Sequence, residues 1–491
     1  MNKRFIANTS WIIGGQIIKN LLGFVVGIIT ANMLGPSNFG VLGYVTSITT
    51  LFTAVANLGL GNIIIKEIIK NKGNEGAVVG SAMTMQIISS SISYGLVILT
   101  IFVLNKTDKV MMICALLQSL TLVFSTFDNI SYYFQSRLES KFPTIISMAA
   151  YFVMQGYKIF LLATKKSVEW FAFAATLDIA ILGIVLVICY KARKSPKLKF
   201  SWNISKALLK QSGPFIIAGS VSVIYASLDR IMLKELLGAT DPVAYYNVAY
   251  TISHVWVFVV SAFISSFSPL IYEALREEGA DSDVYKVRTR QMYCLTFWLG
   301  AMASIAIMVI SPFLIKYAYK EVYRVSIVPT MILTWASVFA YLGVARGVQF
   351  VCENKQKYII LLALLTVAVN ATLNAILIPR LTVVGASIAT LISEFFVCII
   401  APLFFKQTRN IAANILQGIV FKGVKIKPLI NSSKSRFFKK SAPAVSDSQS
   451  EENRTTLTEN KEECYVNSAV EIDKKSDNIE IPQTNKDEKQ K

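Results

Sequence analysis

Eight charged side chains interrupt long apolar stretches of the sequence, and their chemistry suits the binding of anions and small cations. The four bases are Lys19, Lys158, Arg230 and Arg346, and the four acids are Asp128, Asp178, Asp229 and Glu394. Ammonium and guanidinium groups bind phosphate oxygens, the guanidinium often through two parallel hydrogen bonds. Carboxylates in such stretches can exchange a proton or a sodium ion, or they can be structural partners of the bases.

The stretches that contain these residues have the composition and length of membrane helices. Hydrophobic residues make up 54% of the chain and charged residues 16%, with a mean hydropathy of +0.52. The apolar runs are about 20 residues long, enough to cross a hydrocarbon core of roughly 30 Å. They lack the alternation of barrel strands, so they favour helices. We predict twelve, at 5–31, 39–63, 78–104, 111–135, 142–163, 169–190, 213–236, 245–271, 291–315, 325–349, 358–378 and 383–405.

The position of each charge along its segment affects its interpretation. A charge at the centre of a membrane helix costs about 2.5–3.5 kcal/mol on insertion scales and usually faces protein or water. Lys19 lies near mid-segment, whereas Lys158 and Arg346 lie close enough to a segment end to extend towards the membrane surface. Asp229 and Arg230 are adjacent and point about 100° apart on a helix, so each needs another partner. We interpret the four bases as substrate-binding candidates and the four acids as ion-coupling candidates.

Basic residues concentrate in alternate loops, which predicts the orientation of the chain. The largest group lies between the sixth and seventh segments, at Lys191, Arg193, Lys194, Lys197 and Lys199. By the positive-inside rule these loops are cytoplasmic, as are both termini, and the protein is predicted to lie in the cytoplasmic (inner) membrane. The net charge of +19 then reflects loops that face anionic lipid, and no nucleic-acid partner is predicted.

The chain divides into two similar halves, a basic linker and a polar tail. The Leu-Gly sequence that ends one segment at Gly35 recurs at Gly238, and in both places a loop with proline leads to a tyrosine. Duplicated halves in a membrane protein point to alternating access around a site between them. We predict a lobe at 1–190, a basic cytoplasmic linker at 191–212, a second lobe at 213–406, a basic amphipathic segment at 407–441 and a disordered tail at 442–491.

Several short segments, in this order and spacing, resemble a known family. They are ANMLGPSNFG at 31–40, NLGL at 57–60, KE at 66–67, LDR at 228–230, YNVAY at 246–250, NAILIPR at 374–380 and GASIAT at 385–390. They are similar to the bacterial O-antigen and polysaccharide repeat-unit flippases of the multidrug/oligosaccharidyl-lipid/polysaccharide exporter superfamily. The resemblance covers about residues 1–406. Asn32 departs from it, since many relatives carry a basic residue there.

The resemblance implies an all-α polytopic fold with about twelve transmembrane helices in two six-helix lobes around a central cavity. It implies transport of polyprenyl-pyrophosphate-linked oligosaccharide to the outer leaflet by alternating access, for O-antigen, capsule or exopolysaccharide synthesis. Membrane lipids, a proton or sodium gradient, and polymerase and chain-length machinery are the further candidate partners.

Three other functions compete with this interpretation. An ion-coupled multidrug exporter of the same superfamily would need an acid-rich site, whereas the intramembrane charges here are balanced. A peptidoglycan-precursor flippase usually has more helices. A membrane-embedded polysaccharide polymerase would need a catalytic face, and the sequence shows no glycine-rich phosphate loop, metal-ligand cluster or nucleophile–base pair. We therefore predict no enzyme activity, no catalytic residues, no cofactor and no metal.

Overall fold

A computed structural model describes residues 3–106 and 108–423, with side chains from residue 18 onwards except Asn62. The predicted tail at 442–491 and most of the segment at 407–441 lie outside these residues. In the described part, all regular secondary structure is helical. This confirms the predicted all-α class.

The first half contains eight α-helices. They are α1 (Lys3–Leu51), α2 (Thr53–Ala56), α3 (Gly61–Lys70), α4 (Glu75–Leu104), α5 (Lys109–Phe124), α6 (Asn129–Ser136), α7 (Lys141–Ala163) and α8 (Val168–Ala192). A 3₁₀ turn at Ser125–Asp128 joins α5 to α6.

The second half contains the remaining eight. They are α9 (Trp202–Leu237), α10 (Asp241–Ser253), α11 (Val257–Glu278), α12 (Asp283–Ala318), α13 (Ile327–Cys352), α14 (Lys357–Phe395), α15 (Ala401–Phe404) and α16 (Arg409–Ile419). A 3₁₀ turn at Glu321–Ser326 precedes α13, and a π-helix at Phe396–Ile400 follows α14.

Ten helical stretches in the described residues are long and apolar enough to cross a membrane. They confirm a multi-pass membrane protein. Two of them contain a break in helical geometry, at Gly35 (φ 73°, ψ 172°) and at Thr382 (φ 51°, ψ −127°). These breaks fall next to the predicted segment starts at 39 and 383. Glycine adopts the positive φ at position 35 without steric cost. The count of twelve remains a prediction.

The membrane helices carry exposed apolar residues on one side and buried residues on the other, as α4 illustrates. One face exposes Ile88, Ile92 and Leu99, each more than half accessible, while Ser93 and Val97 on the opposite face are fully buried. Large apolar side chains suit hydrocarbon contact, whereas small residues let neighbouring helices approach closely. The helical period of apolar and small residues therefore orients α4 within the bundle.

The two Leu-Gly junctions meet at one end of the molecule, here called the Gly35 end (residues 31–44, 234–247 and 318–326). The Thr240 hydroxyl donates to the Ser37 carbonyl oxygen at 3.1 Å. A Cβ atom on Gly40 would lie 2.0 Å from the Thr240 carbonyl oxygen, so only glycine permits this approach. The two halves are therefore packed backbone to backbone at the Gly35 end.

Side-chain hydrogen bonds reinforce this contact. Asn32 donates to the Ala318 carbonyl at 2.7 Å and accepts from the Lys320 backbone N–H at 2.8 Å. The Tyr44 hydroxyl donates to Glu235 at 2.5 Å. At the opposite end, contacts between the halves run through α9 and the linker, where Gln211 donates to Glu67 at 3.0 Å.

The start of the predicted amphipathic segment at 407–441 forms α16. Ile411 and Ile415 are fully buried. Trp298 of α12 donates to the Ile419 carbonyl at 3.2 Å, and Arg290 donates to Asn414 at 3.2 Å. Its apolar side therefore packs against α12.

Candidate functional site

Lys19 is a half-buried cation held by neutral groups of α7. Its ammonium donates to the Ser147 hydroxyl and lies 5.5 Å from the centroid of the Tyr151 ring. The Tyr151 hydroxyl in turn donates to the Lys19 carbonyl at 3.0 Å. Because these partners are uncharged, they orient the ammonium without neutralising it.

The two acids of the first half act electrostatically on Lys19 without pairing with it directly. The carboxylate of Asp178 acts electrostatically on Lys158 and on Lys19, and the carboxylate of Asp128 acts on Lys19. The ion pairs within 4.0 Å among the described side chains all lie outside the set of eight intramembrane charges. The first half therefore brings two bases and two acids together as an open electrostatic cluster.

A chain of amide side chains lies beside this cluster and was not predicted. Asn129 donates to Gln86 at 2.7 Å, and Gln86 donates to Asn57 at 2.8 Å. Together with Asp128 they line a cavity of about 410 Å³, here called the amide cavity, which also includes Ser125, Tyr132 and Phe215. The sequence shows that three amides lie inside predicted membrane segments, but it does not show that they contact one another.

In the second half, Asp229 is buried and accepts three hydrogen bonds from neutral donors. Tyr246 donates at 2.5 Å, Asn374 at 2.6 Å and Thr390 at 2.9 Å. Asn374 also donates to Asn370 at 3.0 Å. These bonds join α9, α10 and the two parts of α14, so the prediction that Asp229 needs a partner other than Arg230 is matched by the geometry.

Arg230 points away from Asp229, towards α10. Its Nε donates to Asn247 at 2.5 Å and its Nη1 to the Ala226 carbonyl at 2.9 Å. The guanidinium lies 4.6 Å from the centroid of the Tyr250 ring, a cation–π distance. Like Lys19, Arg230 is half-buried and is held by uncharged groups.

A second cavity, of about 220 Å³, lies next to Asp229. Glu394, Tyr225, Tyr341 and His254 contribute to its lining. The His254 ring stacks on Tyr250 at 3.9 Å between centroids, and its Nδ1 lies 3.0 Å from the Tyr250 carbonyl oxygen. The structure thus groups Asp229 and Glu394 around one aromatic cavity.

Arg346 is buried and contacts the π-helix at Phe396–Ile400. Its Nη1 donates to the carbonyl of Val397 at 2.5 Å and to that of Cys398 at 3.1 Å. In a π-helix the carbonyl oxygens do not accept the usual α-helical hydrogen bond from the N–H four residues later. The guanidinium satisfies two of them, while its Nε is buried without a hydrogen-bond partner among the described residues.

Lys19, Arg230 and Arg346 lie at different depths. Lys19 precedes Gly35 by 16 residues and Arg230 precedes Gly238 by eight, which at 1.5 Å per residue is about 24 Å and about 12 Å from the Gly35 end. Arg346 follows Ile327 by 19 residues, about 29 Å from that end. The structure therefore does not place Lys19 and Arg230 around a single small group.

A third cavity, of about 590 Å³, opens near the Gly35 end. Lys165, Lys166 and Glu169 of the α7–α8 junction line it together with Lys320 of the second half. Among the residues with described side chains, no group of three or more His, Cys, Asp or Glu residues could hold a metal ion.

Comparison with known proteins matches the family described as "Polysaccharide biosynthesis protein" to residues 5–275. The capsular polysaccharide biosynthesis protein CapF of Staphylococcus aureus is 19% identical over 416 residues, which cover 82% of this chain and 99% of CapF.

Two solved structures show a similar fold. The lipid II flippase MurJ in an inward closed conformation has a TM-score of 0.65 at 12% identity, covering 88% of this chain and 93% of MurJ. An inward-facing multidrug resistance MATE transporter of the MOP superfamily has a TM-score of 0.63 at 14% identity, covering 81% of this chain and 96% of the transporter.

Proposed function

Because the chain belongs to the polysaccharide biosynthesis protein family, we propose that it is a flippase for polyprenyl-pyrophosphate-linked oligosaccharides. The cargo crosses the cytoplasmic membrane for cell-surface polysaccharide synthesis: O-antigen, capsule or exopolysaccharide. The observation that carries the proposal is Lys19, a half-buried cation within a membrane span whose contacts are the neutral side chains of Ser147 and Tyr151. Such a charge is available to an anionic ligand.

The physical problem for such a transporter is the headgroup. Sugars and pyrophosphate are strongly hydrated and do not cross hydrocarbon, so they need a polar route, whereas the lipid tail remains soluble in the bilayer. Fixed cations compensate the charge lost with the hydration shell. Lys19 and Arg230 supply that charge in the first and second half respectively.

The different depths of Lys19 and Arg230 make the route sequential. A pyrophosphate is much shorter than the roughly 12 Å that separates Lys19 from Arg230 along the membrane normal. We assign Lys19 to the first contact and Arg230, closer to the Gly35 end, to the later one. Arg346 is bound to π-helix carbonyls in this conformation, and Asp178 acts electrostatically on Lys158. We therefore assign both bases a supporting role in this route.

Alternating access requires that one end be closed while the other is open. We assign the closed end to the Gly35 end, because Gly40 and Thr240 are in close backbone contact there. The bases of the linker support an orientation in which the Gly35 end faces outwards and both termini are cytoplasmic. The cargo would then enter from the cytoplasmic side and leave after the Gly35 end separates.

The function can be tested with purified protein in liposomes. Polyprenyl-pyrophosphate disaccharide with a fluorophore on the sugar should cross the bilayer at least about tenfold faster with the protein than without it, measured by an impermeant quencher. A cationic dye should not be transported, and the disaccharide should not be lengthened. Dye transport without lipid transport would indicate a drug exporter, and chain growth would indicate a polymerase.

For ion coupling we propose Asp229, with Asp128, Asp178 and Glu394 as the remaining candidates. Three neutral donors stabilise the Asp229 carboxylate without neutralising it. The Oδ1 atom of Asn374 is a further acceptor, buried without a hydrogen-bond partner in the described residues. The oxygen atoms of Asp229 and Asn374 are suitable ligands for a sodium ion, whereas a proton would have to replace one of the three donors.

Asp229→Asn should remove the acceleration of transport by an imposed ion gradient, because the site loses its negative charge and keeps its shape. We expect gradient-driven transport to fall at least about tenfold, measured in the same liposomes with proton and sodium gradients applied separately. Asp241→Asn, at the start of α10, is the matched control. Full stimulation of the Asp229 variant would exclude this carboxylate as the coupling site.

A further inference from the structure

We propose that the amide cavity binds the sugar that is attached directly to the pyrophosphate, an assignment that rests on the proposed function. Its volume of about 410 Å³ falls within the range of roughly 300–1,000 Å³ typical of small-molecule sites. Among the described side chains, none of those that line it is basic. The cavity is therefore suited to a neutral polar group and is chemically distinct from the cations that would hold the pyrophosphate.

The lining has the donor and acceptor types that sugar hydroxyls require. An amide presents both donors and an acceptor, and a carboxylate accepts two hydrogen bonds at once, so both match hydroxyls on neighbouring ring carbons. Asn57 and Asp128 provide these groups, and the rings of Tyr132 and Phe215 provide apolar faces for the C–H side of a pyranose.

The hydrogen bonds of the amide chain fix its orientation before a ligand binds. Gln86 and Asn129 are almost fully buried. Asn129 donates a hydrogen bond to Gln86, and Gln86 donates one to Asn57. Asn57 uses its Oδ1 for Gln86 and Ser125. Among the described residues, neither the Asn57 amide nitrogen nor the Asp128 carboxylate has a hydrogen-bond partner. Both are therefore free to bind a ligand at a rigid site.

The cavity is linked to Lys19 through Asp128. The Asp128 carboxylate lines the cavity and acts electrostatically on the Lys19 ammonium. A headgroup whose pyrophosphate contacts Lys19 can therefore direct its first sugar past Asp128 towards Asn57. Phe215 comes from α9, so the second half forms one wall of the cavity. Movement of α9 would open that wall and release the sugar.

The test compares two soluble probes on the full-length purified protein: farnesyl pyrophosphate and farnesyl pyrophosphate linked to a disaccharide. We expect wild-type protein to bind the sugar-bearing probe at least tenfold more tightly. Asp128→Asn and Asn129→Leu should each reduce this ratio roughly 3- to 10-fold, the effect of one lost hydrogen bond. Affinity for the sugar-free probe should change little in Asn129→Leu. In Asp128→Asn it should rise, because the variant loses a negative charge that acts on the Lys19 ammonium, so for this variant the loss is measured on the sugar-bearing probe itself.

Gln118→Leu is the matched control, because Gln118 is a buried amide of the same span that bonds Thr46 outside the cavity. Tyr132→Phe removes one hydroxyl from the lining and tests the assignment if the leucine variant does not fold. Equal wild-type affinity for both probes, or an unchanged ratio in the variants, would overturn the sugar subsite and leave the pyrophosphate assignment intact. Failure of both probes to bind would overturn the proposed function and this subsite with it.

Discussion

Replacing Lys19 with alanine should reduce the export of lipid-linked oligosaccharide at least about tenfold. A hydrogen bond to a charged group contributes roughly 1.5–3 kcal/mol, and Lys19 would make such bonds to the pyrophosphate at its first contact. In a flippase-null strain, Lys19→Ala should give little surface polysaccharide and a build-up of lipid-linked repeat units, with normal protein abundance in the membrane.

Two further variants separate charge from structure at this position. Lys19→Arg retains the charge and should restore part of the export. Ser147→Ala removes the neutral partner of the ammonium but leaves the charge, so export should remain within a few-fold of wild type. Normal export by Lys19→Ala would refute the cation's role, whereas loss of the protein itself would show that Lys19 is structural.

Replacing Gly40 with valine should abolish transport by preventing closure of the Gly35 end. The new Cβ atom would lie 2.0 Å from the Thr240 carbonyl oxygen and 3.0 Å from the Thr240 Cβ atom, so backbone would have to move. Overpacking of this kind costs about 1–3 kcal/mol in a packed core. Here separation of the two halves relieves it, and the closed population should fall at least about fivefold.

Labelling of an introduced cysteine measures this shift. Ala226→Cys lies behind the closed end, beside Arg230. In intact cells carrying a cysteine-free background, an impermeant maleimide should label it faster when Gly40→Val is also present than when it is absent. Gly27→Val is the matched control, since a Cβ on Gly27 meets no atom within 4 Å. Lys199→Cys in the linker should remain unlabelled, and its labelling would contradict the proposed orientation.

These experiments address separate steps of transport. Lys19 concerns the capture of the anionic headgroup, the amide cavity concerns the recognition of the sugar, and Gly40 concerns the closure that makes access alternate. If the Lys19→Ala variant no longer binds the headgroup but Ala226→Cys is labelled normally in it, the variant is defective in headgroup capture and not in closure. For Gly40→Val we expect normal headgroup binding and increased labelling of Ala226→Cys.

Membrane insertion and the approximate course of most helices could be predicted from the sequence because both depend on local hydropathy. The interruptions inside the predicted segments 39–63 and 245–271 could not. An apolar run of sufficient length partitions as a helix whatever its neighbours are. The sequence also predicted that each intramembrane charge contacts a partner or water, since burying an isolated charge costs free energy. Asp229 and Arg230 illustrate this: their adjacency excluded mutual pairing, and the structure supplies separate partners on α10 and α14.

The identity of those partners was decided only by the tertiary structure. The amide cavity joins residues 29 and 43 positions apart on three helical elements, and sequence alone carries no information on which helix faces are opposed. Arg346 shows the same limit. Its partners are backbone carbonyls of a π-helix, a geometry without a residue signature. The contact of Gly40 with Thr240 likewise exists only because two duplicated junctions, 203 positions apart, pack against each other.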